Sequence, residues 1–338
     1  KGRNVAFLGL FRFMVANPLG VTIFRVRNSN RVFTGDKQMT TTFAFIGFGE
    51  AGQYLSRGLQ GEGAVVSGAY DILFDAPDGG GPKGAAVRTA LEERGIPAVA
   101  SPADIAAGAD IVISAVTAKQ VAAAGDATGP HMKPGQIFLD INSASPGAKR
   151  EASVSVNAAG ADYVEAAVMS NVPPHGHRVP MFLAGTAADK AAALMTPLGM
   201  DVEVVGTEIG QASSIKMIRS VMVKGLEALL VESLTAAHRA GVEDKVIESL
   251  GESFPGLDWR GKAGYHLGRV ALHAARRADE MEEVSETLRD IGVPPTMAEA
   301  TAKQLRMCAD MGLREMFIDD LPEEITPFVA AVSAKHSS

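Results

Sequence analysis

The sequence predicts an α/β fold in which a doubly wound parallel sheet is followed by an all-α C-terminal domain. Two patterns predict it. Between Thr42 and about residue 206, short apolar runs alternate with amphipathic stretches, which is typical of parallel strands joined by crossover helices. Beyond Gly210 the short runs stop, and from Ser213 to Ala240 apolar residues recur at helical spacing. A domain boundary near Thr207 follows.

The individual elements follow from the same patterns. Strands are expected at 43–48, 65–71, 109–116, 136–141, 163–168, 181–184 and 202–205, with helices at 50–61 and 83–94 among them. Beyond the boundary, helices are expected at 213–240, 243–251, 260–290 and 295–313. We therefore predict a sheet domain over residues 39–206 and a helical domain over residues 207–338.

Residues 1–38 differ in composition from the rest of the chain. They are rich in arginine, Asp36 is their only acid, and Met39 stands just before the first expected strand. We expect Met39 to be the natural start. Three origins of residues 1–38 stay open: a leader added by cloning, an upstream in-frame extension, or a basic targeting segment. No function is assigned to them.

The bulk composition restricts the classes of partner. The formal net charge of −7 disfavours nucleic acid and anionic membranes as partners. No apolar run in the sequence approaches the roughly 20 residues that a bilayer span needs. Cys308 is the only cysteine, which excludes an internal disulfide and a multi-cysteine zinc site. We expect a cytoplasmic protein that binds small molecules.

A glycine motif stands between the first expected strand and the first expected helix. Its six residues are Gly47, Phe48, Gly49, Glu50, Ala51 and Gly52. In this context the first glycine permits a tight turn, the second lets the backbone approach a pyrophosphate, and the third allows close packing of helix on strand. The helix N-terminus attracts the phosphates. We therefore predict a Rossmann-type NAD(P) site at these residues; the alternative is a glycine-rich turn without a ligand.

Asp71 stands at the end of the second expected strand. A carboxylate there can accept hydrogen bonds from the adenosine ribose and repel a 2′-phosphate, so NAD is slightly favoured over NADP. Asp75 competes for that role, and a solvated loop acid is the plain alternative for Asp71. Lys83 or Arg88 could instead hold a 2′-phosphate, so the cofactor preference stays open.

Two later strand ends are expected to face the same ligand crevice. Val116 and Thr117 end the 109–116 strand, taken as the fourth of the sheet, and are expected to line the nicotinamide side; ordinary packing accounts for them equally well. Asn142 and Ser143 follow the next strand and could bind substrate hydroxyl and carboxylate groups. Ser145, which precedes a proline, is also a good helix N-cap.

Four segments, in this order, resemble the signature regions of the β-hydroxyacid dehydrogenase and 6-phosphogluconate dehydrogenase superfamily: residues 47–52, 140–146, 167–170 and 206–216. The resemblance covers the chain from about Thr42 to its end. More narrowly, residues 216–229 and 273–277 resemble the helical domain of a phosphogluconate-dehydrogenase-like bacterial branch. The resemblance implies hydride exchange between NAD(P) and a small acidic substrate, at a hydroxyl or carbonyl group. It also implies a homodimer whose long helices pair.

Lys216 is the residue that matches the general acid/base lysine of that superfamily. An ammonium near the substrate oxygen stabilises negative charge developing there, and partial burial lowers its pKa toward the working range. Lys224 lies about two helical turns further on, near the same face. The substrate-binding set implied by the resemblance includes Ser170, Arg219 and Ser220. The alternative for Lys216 is a lysine whose stem merely covers an amphipathic helix.

Three departures from the superfamily pattern narrow the expected reaction. Ser220 stands where an asparagine usually orients the substrate, Arg219 stands where the sugar-phosphate enzyme has a histidine, and the helical domain is much shorter. Oxidative decarboxylation of 6-phosphogluconate is therefore not expected. An imine reductase and a non-catalytic NAD(P)-binding sensor remain as alternatives. A methyltransferase is disfavoured because the glycine spacing suits a pyrophosphate turn.

Two basic segments have competing interpretations. One expected helix carries His266, Arg269, His273, Arg276 and Arg277. His273 and Arg276 share a face and could clamp an anionic group, but a solvated face paired with the acids Asp279, Glu280, Glu282 and Glu283 is favoured. His175 and His177 have HxH spacing, yet no further ligands stand nearby. We therefore predict a mobile substrate loop there rather than a metal site.

Overall fold

The computed structural model describes residues 41–321 and 324–335. The leader predicted for residues 1–38 and the start expected at Met39 lie outside the described residues. Within the described part, none of the helices combines the length and the apolar character that crossing a membrane requires.

A seven-stranded sheet forms the N-terminal part of the described chain. Its strands are β1 (Thr42–Ile46), β2 (Val65–Tyr70), β3 (Ile111–Ser114), β4 (Ile137–Asp140), β5 (Asp162–Val168), β6 (Met181–Ala184) and β7 (Val202–Gly206). They lie in the order β2-β1-β3-β4-β5-β6-β7. Because β2 and β3 flank β1, the winding direction reverses beside β1, which makes the sheet doubly wound. The predicted fold class is confirmed.

Two strands, β6 and β7, run against the other five, which corrects the expectation of a parallel sheet. β6 pairs with β5 in antiparallel register, from Glu165 opposite Ala184 to Val168 opposite Met181, while all other pairs are parallel. The connection between these two strands holds only short helical turns. A parallel neighbour would need a longer crossover.

Helices cover both faces of the sheet. Alternate residues of β1 enter different apolar clusters, Phe43 and Phe45 on one side and Ala44 and Ile46 on the other. β3 and β4 are buried along their whole length, as strands covered on both faces are. The helices of this part are α1 (Glu50–Gly61), α2 (Gly81–Glu93), α3 (Pro102–Ala107), α4 (Val121–Thr128), α5 (Pro146–Ala158), α6 (Val172–His175) and α7 (Ala188–Met195).

Several elements differ from their sequence-based expectations. The strand taken as the fourth is the third along the described chain, β3, and it ends at Ser114, so Val116 and Thr117 lie beyond it. The helices α3, α4, α6 and α7 were not predicted, because each has at most 8 residues, too few to establish an apolar period. The expected cap of α5 is present: Ser145 Oγ accepts a hydrogen bond from Ala148 N at 3.3 Å.

The C-terminal part is helical, as predicted. It holds α8 (Gln211–Ala240), α9 (Glu243–Ser253), α10 (Trp259–Asp290), α11 (Thr296–Asp310), α12 (Leu313–Phe317) and α13 (Ile325–Lys335). The starts of α8 and α10 fall within two residues of their predicted positions, whereas α12 and α13 were not predicted. One apolar cluster joins α8, α10, α11 and α13, with Val231, Met281 and Val329 fully buried in it. The boundary near Thr207 stays a prediction.

Candidate cofactor and catalytic site

The glycine turn follows β1 at the place where the winding reverses. Gly47 has φ +81°, and a Cβ there would lie 2.5 Å from the carbonyl oxygen of Ala115 and 2.9 Å from Val116 Cγ1. Its N–H donates to the carbonyl oxygen of Tyr70 at 2.8 Å. Only glycine suits this position, because both the backbone conformation and the contact exclude a side chain. Val116 therefore lies against the turn, while Thr117 is exposed, and the nicotinamide role expected of both stays a prediction.

Gly49 differs from Gly47 in what surrounds it. Its φ is −71°, and a Cβ added there would meet nothing within 4 Å among the described residues. It precedes Glu50 and Ala51 at the start of α1, whose first turn has no side-chain cap. The fold itself does not require glycine here, whereas a pyrophosphate approaching the helix N-terminus would. The turn therefore fits a dinucleotide.

Asp71 supports the same turn from β2. Its Oδ2 accepts from Phe48 N at 2.9 Å, and its Oδ1 accepts from Leu73 N at 3.1 Å. Phe48 uses its fully buried side chain for packing, so only its backbone lies at the turn. Asp71 is 9% exposed, which excludes the solvated loop acid. Each carboxylate oxygen has a second lone pair, so the ribose role stays open to Asp71.

Two of the groups that compete with Asp71 for a role at the adenosine ribose, Asp75 and Arg88, contact other side chains. Tyr70 Oη donates to Asp75 Oδ2. Burial, together with this carboxylate, raises the pKa of Tyr70 to about 12. The guanidinium of Arg88 lies over the Phe74 ring, 4.2 Å from its centre, while Lys83 is exposed.

At the end of β4, a buried carboxylate organises the predicted substrate segment. Asp140 Oδ1 accepts from Asn142 N at 2.9 Å and from Asn142 Nδ2 at 2.6 Å, and it pairs with Lys149 Nζ at 2.8 Å. Asp140 Oδ2 accepts from Tyr163 Oη. Asn142 Nδ2 also donates to Ser114 Oγ at 2.9 Å, so both of its N–H bonds are used within the protein. Asn142 can thus offer a substrate only its carbonyl oxygen, not the donors expected from the sequence.

This network was missed by the sequence motifs, which singled out Asn142 and Ser143 but not their support. Asp140 and Lys149 are 0% and 1% exposed, so their charges are paired inside the protein. Burial and the neighbouring Asp140 raise the pKa of Tyr163 well above its usual value. The sequence signal that could have revealed this network was an acid at the end of a strand followed by a lysine on the next helix.

The predicted catalytic lysine lies on α8 beside two cations that share one acid. Lys224 Nζ donates to Ser220 Oγ at 2.9 Å and pairs with Glu280 Oε2 at 3.1 Å. Arg276 Nε lies 3.9 Å from Glu280 Oε1. Ser220 Oγ donates to the carbonyl oxygen of Lys216 at 2.9 Å. Among the described residues, no hydrogen-bond acceptor or ion-pair partner is found for the Lys216 side chain, so its ammonium is free to meet a ligand.

The surroundings of Lys216 favour proton exchange near neutral pH. Burial of its ammonium lowers the pKa of Lys216 to about 8. Four charged neighbours act on it, Glu280 raising the value and Lys149, Lys224 and Arg276 lowering it. Burial also lowers the pKa of Lys224. Burial raises the pKa of Glu280, but the neighbouring cations outweigh this and leave it below its usual value.

The structure does not bring all of the other predicted substrate-binding residues to Lys216. Ser143 is partly exposed, and Arg219 is exposed on α8. Ser170 Oγ lies 3.3 Å from His175 Nε2 on the surface. The roles of these residues stay predictions.

The two histidines of the expected loop lie in helical turns packed on α1. A Cβ at Gly58 would lie 2.0 Å from His177 Nδ1, and His177 is 8% exposed. Its Nε2 lies 3.8 Å from Glu62 Oε1. Across residues 41–321 and 324–335, no three His, Cys, Asp or Glu side chains come together as metal ligands.

The basic residues of α10 divide into two groups: His273 and Arg276 are exposed, as expected of a solvated face, whereas the other three turn toward α8. Arg277 is 4% exposed and binds the fully buried Glu227 of α8 through Nε, at 2.5 Å, and Nη2. His266 and Arg269 lie 3.4 and 4.0 Å from the same carboxylate. These basic side chains therefore converge on an acid of another helix. Of the expected acids at 279–283, Glu280 alone pairs with a basic residue of α10, Arg276.

Comparison with known proteins follows the same division of the chain. Residues 42–206 match the family model of the NAD binding domain of 6-phosphogluconate dehydrogenase. Residues 237–307 match a domain of unknown function, DUF1932.

Two solved structures resemble most of the chain. A conserved hypothetical protein from Sinorhizobium meliloti 1021 is 39% identical, with a TM-score of 0.73, over 88% of this chain and 97% of that protein. A conserved protein of unknown function, described as structurally similar to 3-hydroxyacid dehydrogenases, is 32% identical with a TM-score of 0.65, over 80% of this chain and 99% of that protein.

Curated relatives with a named activity are more distant. The NAD-dependent L-serine dehydrogenase of Pseudomonas aeruginosa is 24% identical over 78% of this chain and 87% of its own length. The mitochondrial 3-hydroxyisobutyrate dehydrogenase of Mus musculus is 24% identical over 65% of this chain, which spans 64% of that enzyme. With two relatives above 30% identity over nearly their whole lengths, the chain belongs to the β-hydroxyacid dehydrogenase and 6-phosphogluconate dehydrogenase superfamily.

Proposed function

We propose that this protein is an NAD(P)-dependent oxidoreductase that interconverts a hydroxyl and a carbonyl group on a small acidic substrate, with Lys216 as the general acid/base. One observation carries the proposal. Lys216 has no partner among the described residues and a pKa of about 8, whereas Lys149 and Lys224 beside it are both paired. A free, desolvated amine among paired cations is what proton exchange at neutral pH requires.

A position of Lys216 beside the cofactor edge of the sheet is supported by the residues between them. Gly47, Val116 and Asn142 follow β1, β3 and β4, which are neighbours in the sheet, so they line one edge of it. Lys149 connects that edge to α8, because it pairs with Asp140 and acts on the pKa of Lys216. A bound nicotinamide would accept or donate the hydride at this edge.

The chain's own groups would handle the proton and the substrate charge. In oxidation, neutral Lys216 accepts the hydroxyl proton as the carbonyl forms; in reduction, its ammonium returns that proton to the oxygen. Lys224 and Arg276 share a single acid, Glu280, which leaves one positive charge to balance the acidic group of a substrate. NAD is slightly favoured over NADP by Asp71.

The test separates binding from turnover. Titration of the protein with NADH and NADPH in a calorimeter is followed by a screen of 3-hydroxyacids, first on the wild type and then on Lys216→Met. We expect the variant to bind cofactor as the wild type does and to lose turnover by about 10²- to 10⁴-fold. Lys303→Met, at an exposed lysine of α11, is the matched control and should keep full turnover.

Each other outcome points to an alternative. Cofactor binding with no turnover on hydroxyacids or imines would favour the sensor protein. Turnover on imines alone would favour the imine reductase. A Lys216→Met variant as active as Lys303→Met would contradict the role given to Lys216.

We also propose a homodimer formed through α8. Four exposed apolar residues lie along one side of this helix at spacings of three, four and seven residues: Ile215, Ile218, Met222 and Leu229, which are 39%, 47%, 76% and 56% exposed. Such a row suits pairing with a second helix. Light scattering should give twice the chain mass, and a monomer over a wide concentration range would contradict it.

A cytoplasmic location is part of the proposal, because a single buried cysteine, Cys308, suits a reducing compartment.

A further inference from the structure

Glu165, on β5, is a fully buried acid to which the glycine and lysine motifs give no role. Its Oε1 accepts from Gly210 N at 2.7 Å and from Ala212 N at 2.9 Å, and its Oε2 accepts from Ser213 Oγ at 2.8 Å. All three contacts are donors, so both oxygens act as acceptors. Among the described residues no cation pairs with Glu165; the N-terminal end of the α8 dipole and these donors compensate its charge instead.

The first turn of α8 needs Glu165 as a hydrogen-bond acceptor, because its own N-cap residue has no side chain that could accept. The N-cap is Gly210, at φ +107°, and no side chain of the helix caps the first turn. A Cβ at this position would lie 2.5 Å from Arg150 Nη1 and 3.2 Å from Pro146 Cβ. The positive φ favours glycine at this position, and the sheet supplies the missing acceptor through Glu165.

The same acid lies beside the one that holds the substrate segment. Glu165 and Asp140 are register partners on the neighbouring strands β5 and β4. Asp140 fixes Asn142 through two hydrogen bonds, and Glu165 fixes the first turn of α8. Two adjacent carboxylates on one rigid sheet therefore hold the two pieces of chain between which a substrate would lie.

We propose that Glu165 is a positioning residue for Lys216, setting the height and rotation at which α8 presents this lysine to the substrate. Lys216 follows the N-cap Gly210 by six residues, about 9 Å along the helix, and Ser213 by less than one turn. The inference rests on the proposed function, since it treats Lys216 as the proton-exchanging group. Small displacements matter there, because about 1 Å of misplacement can reduce turnover by about 100-fold.

Loosening the first turn should change the surroundings of Lys216 as well as its position. The charged groups that face it are Lys149 from α5, Lys224 from α8 itself, and Arg276 and Glu280 from α10. Burial is the largest cause of its lowered pKa. If the helix start moves outward, water reaches the ammonium, and its pKa rises toward that of an ordinary lysine.

The test compares Glu165→Gln with Asp258→Asn. The glutamine keeps the shape of the side chain but turns a donor toward either Ser213 or the two backbone N–H groups. Asp258 caps α10 by accepting from Gly261 N at 2.9 Å, so its variant also weakens a helix cap, at a distance from Lys216. The pH dependence of Lys216 acylation, followed by peptide mass spectrometry, reports the lysine without requiring turnover.

In the wild type, acylation should be half-maximal near pH 8. Glu165→Gln should move this midpoint to higher pH and lower kcat by about 10- to 100-fold, with the KM for cofactor unchanged. Asp258→Asn should move neither. Equal losses of stability with an unchanged midpoint in Glu165→Gln would overturn the proposal and make Glu165 an ordinary cap.

A second variant keeps the test decisive if Glu165→Gln does not fold. Ser213→Ala removes one of the three donors and should move the midpoint in the same direction by less; no movement would overturn the proposal. A wild type without turnover on any substrate would refute the proposed function, while the acylation result would still show whether Glu165 positions Lys216.

Discussion

The glycine turn and the lysine cluster are built in opposite ways. The turn is contiguous: six neighbouring residues form it, and its distant support comes from Tyr70 and Asp71, which accept from Gly47 N and Phe48 N. The lysine cluster is assembled from β4, α5, α8 and α10, and the ion pair between Lys224 and Glu280 joins two of these helices. The first is therefore specified by backbone conformation, and the second by buried charge. Variants that damage one and spare the other test this division.

The largest expected effect is on stability, through the buried ion pair that joins α8 and α10. Arg277→Met leaves Glu227 buried without its main partner, which should lower the free energy of unfolding by about 3–5 kcal/mol. Arg306→Met is the control: its pairs with Asp279 and Glu282 are exposed and worth about 1 kcal/mol or less. Denaturant unfolding measures both. Equal losses would mean that His266 and Arg269 already neutralise Glu227.

The next effect concerns the two glycines of the turn. Gly49→Val should weaken cofactor binding by about 100-fold with little change in melting temperature, because the added side chain fills only the space a pyrophosphate would take. Gly47→Ala should instead lower the stability itself, by about 1–3 kcal/mol, since φ +81° and the contact with Ala115 exclude a Cβ. Calorimetry and thermal unfolding separate the two. Unchanged cofactor affinity in Gly49→Val would argue against this site.

A smaller effect is expected on the choice of cofactor. Asp71→Ala should weaken NADH binding by about 10-fold more than NADPH binding, because a ribose acceptor and a repulsive charge are both removed. Both affinities should fall somewhat, since Phe48 N loses its acceptor. Asp75→Ala, at an acid already engaged by Tyr70, should leave the ratio unchanged. A ratio that moves in Asp75→Ala instead would assign the ribose to Asp75.

The smallest effect is a displacement of the pH profile. In the oxidative direction kcat/KM should rise with pH through about 8 and then level off, because neutral Lys216 is the base; in the reductive direction it should fall over the same range. Glu280 raises the pKa of Lys216, so Glu280→Gln should move both limbs to lower pH, by under about one unit. Glu282→Gln on the same helix should move neither. A shift to higher pH would contradict the charge assignment.

The sequence predicted the glycine turn better than the lysine cluster, because only the turn is formed by neighbouring residues. The glycine turn, Asp71 and the long helix carrying Lys216 follow from local spacing, so they were predicted. The reversed direction of β6 and β7 was not, because apolar runs carry no direction. Asp140, Lys149, Glu165 and the pairing of Glu227 with Arg277 were missed, since each depends on contacts between distant segments. Their signal was only the presence of acids within apolar runs.

The buried pair of Asp140 and Lys149 also bears on how this protein can diverge. Replacing either residue alone strands a charge in the interior, at a cost of about 3–5 kcal/mol, a large share of the stability of an ordinary domain. A lineage can therefore change the two positions only in near-simultaneous steps. Positions 140 and 149 should covary among relatives. Substrate range should evolve at exposed positions of the candidate site before it evolves at this buried pair.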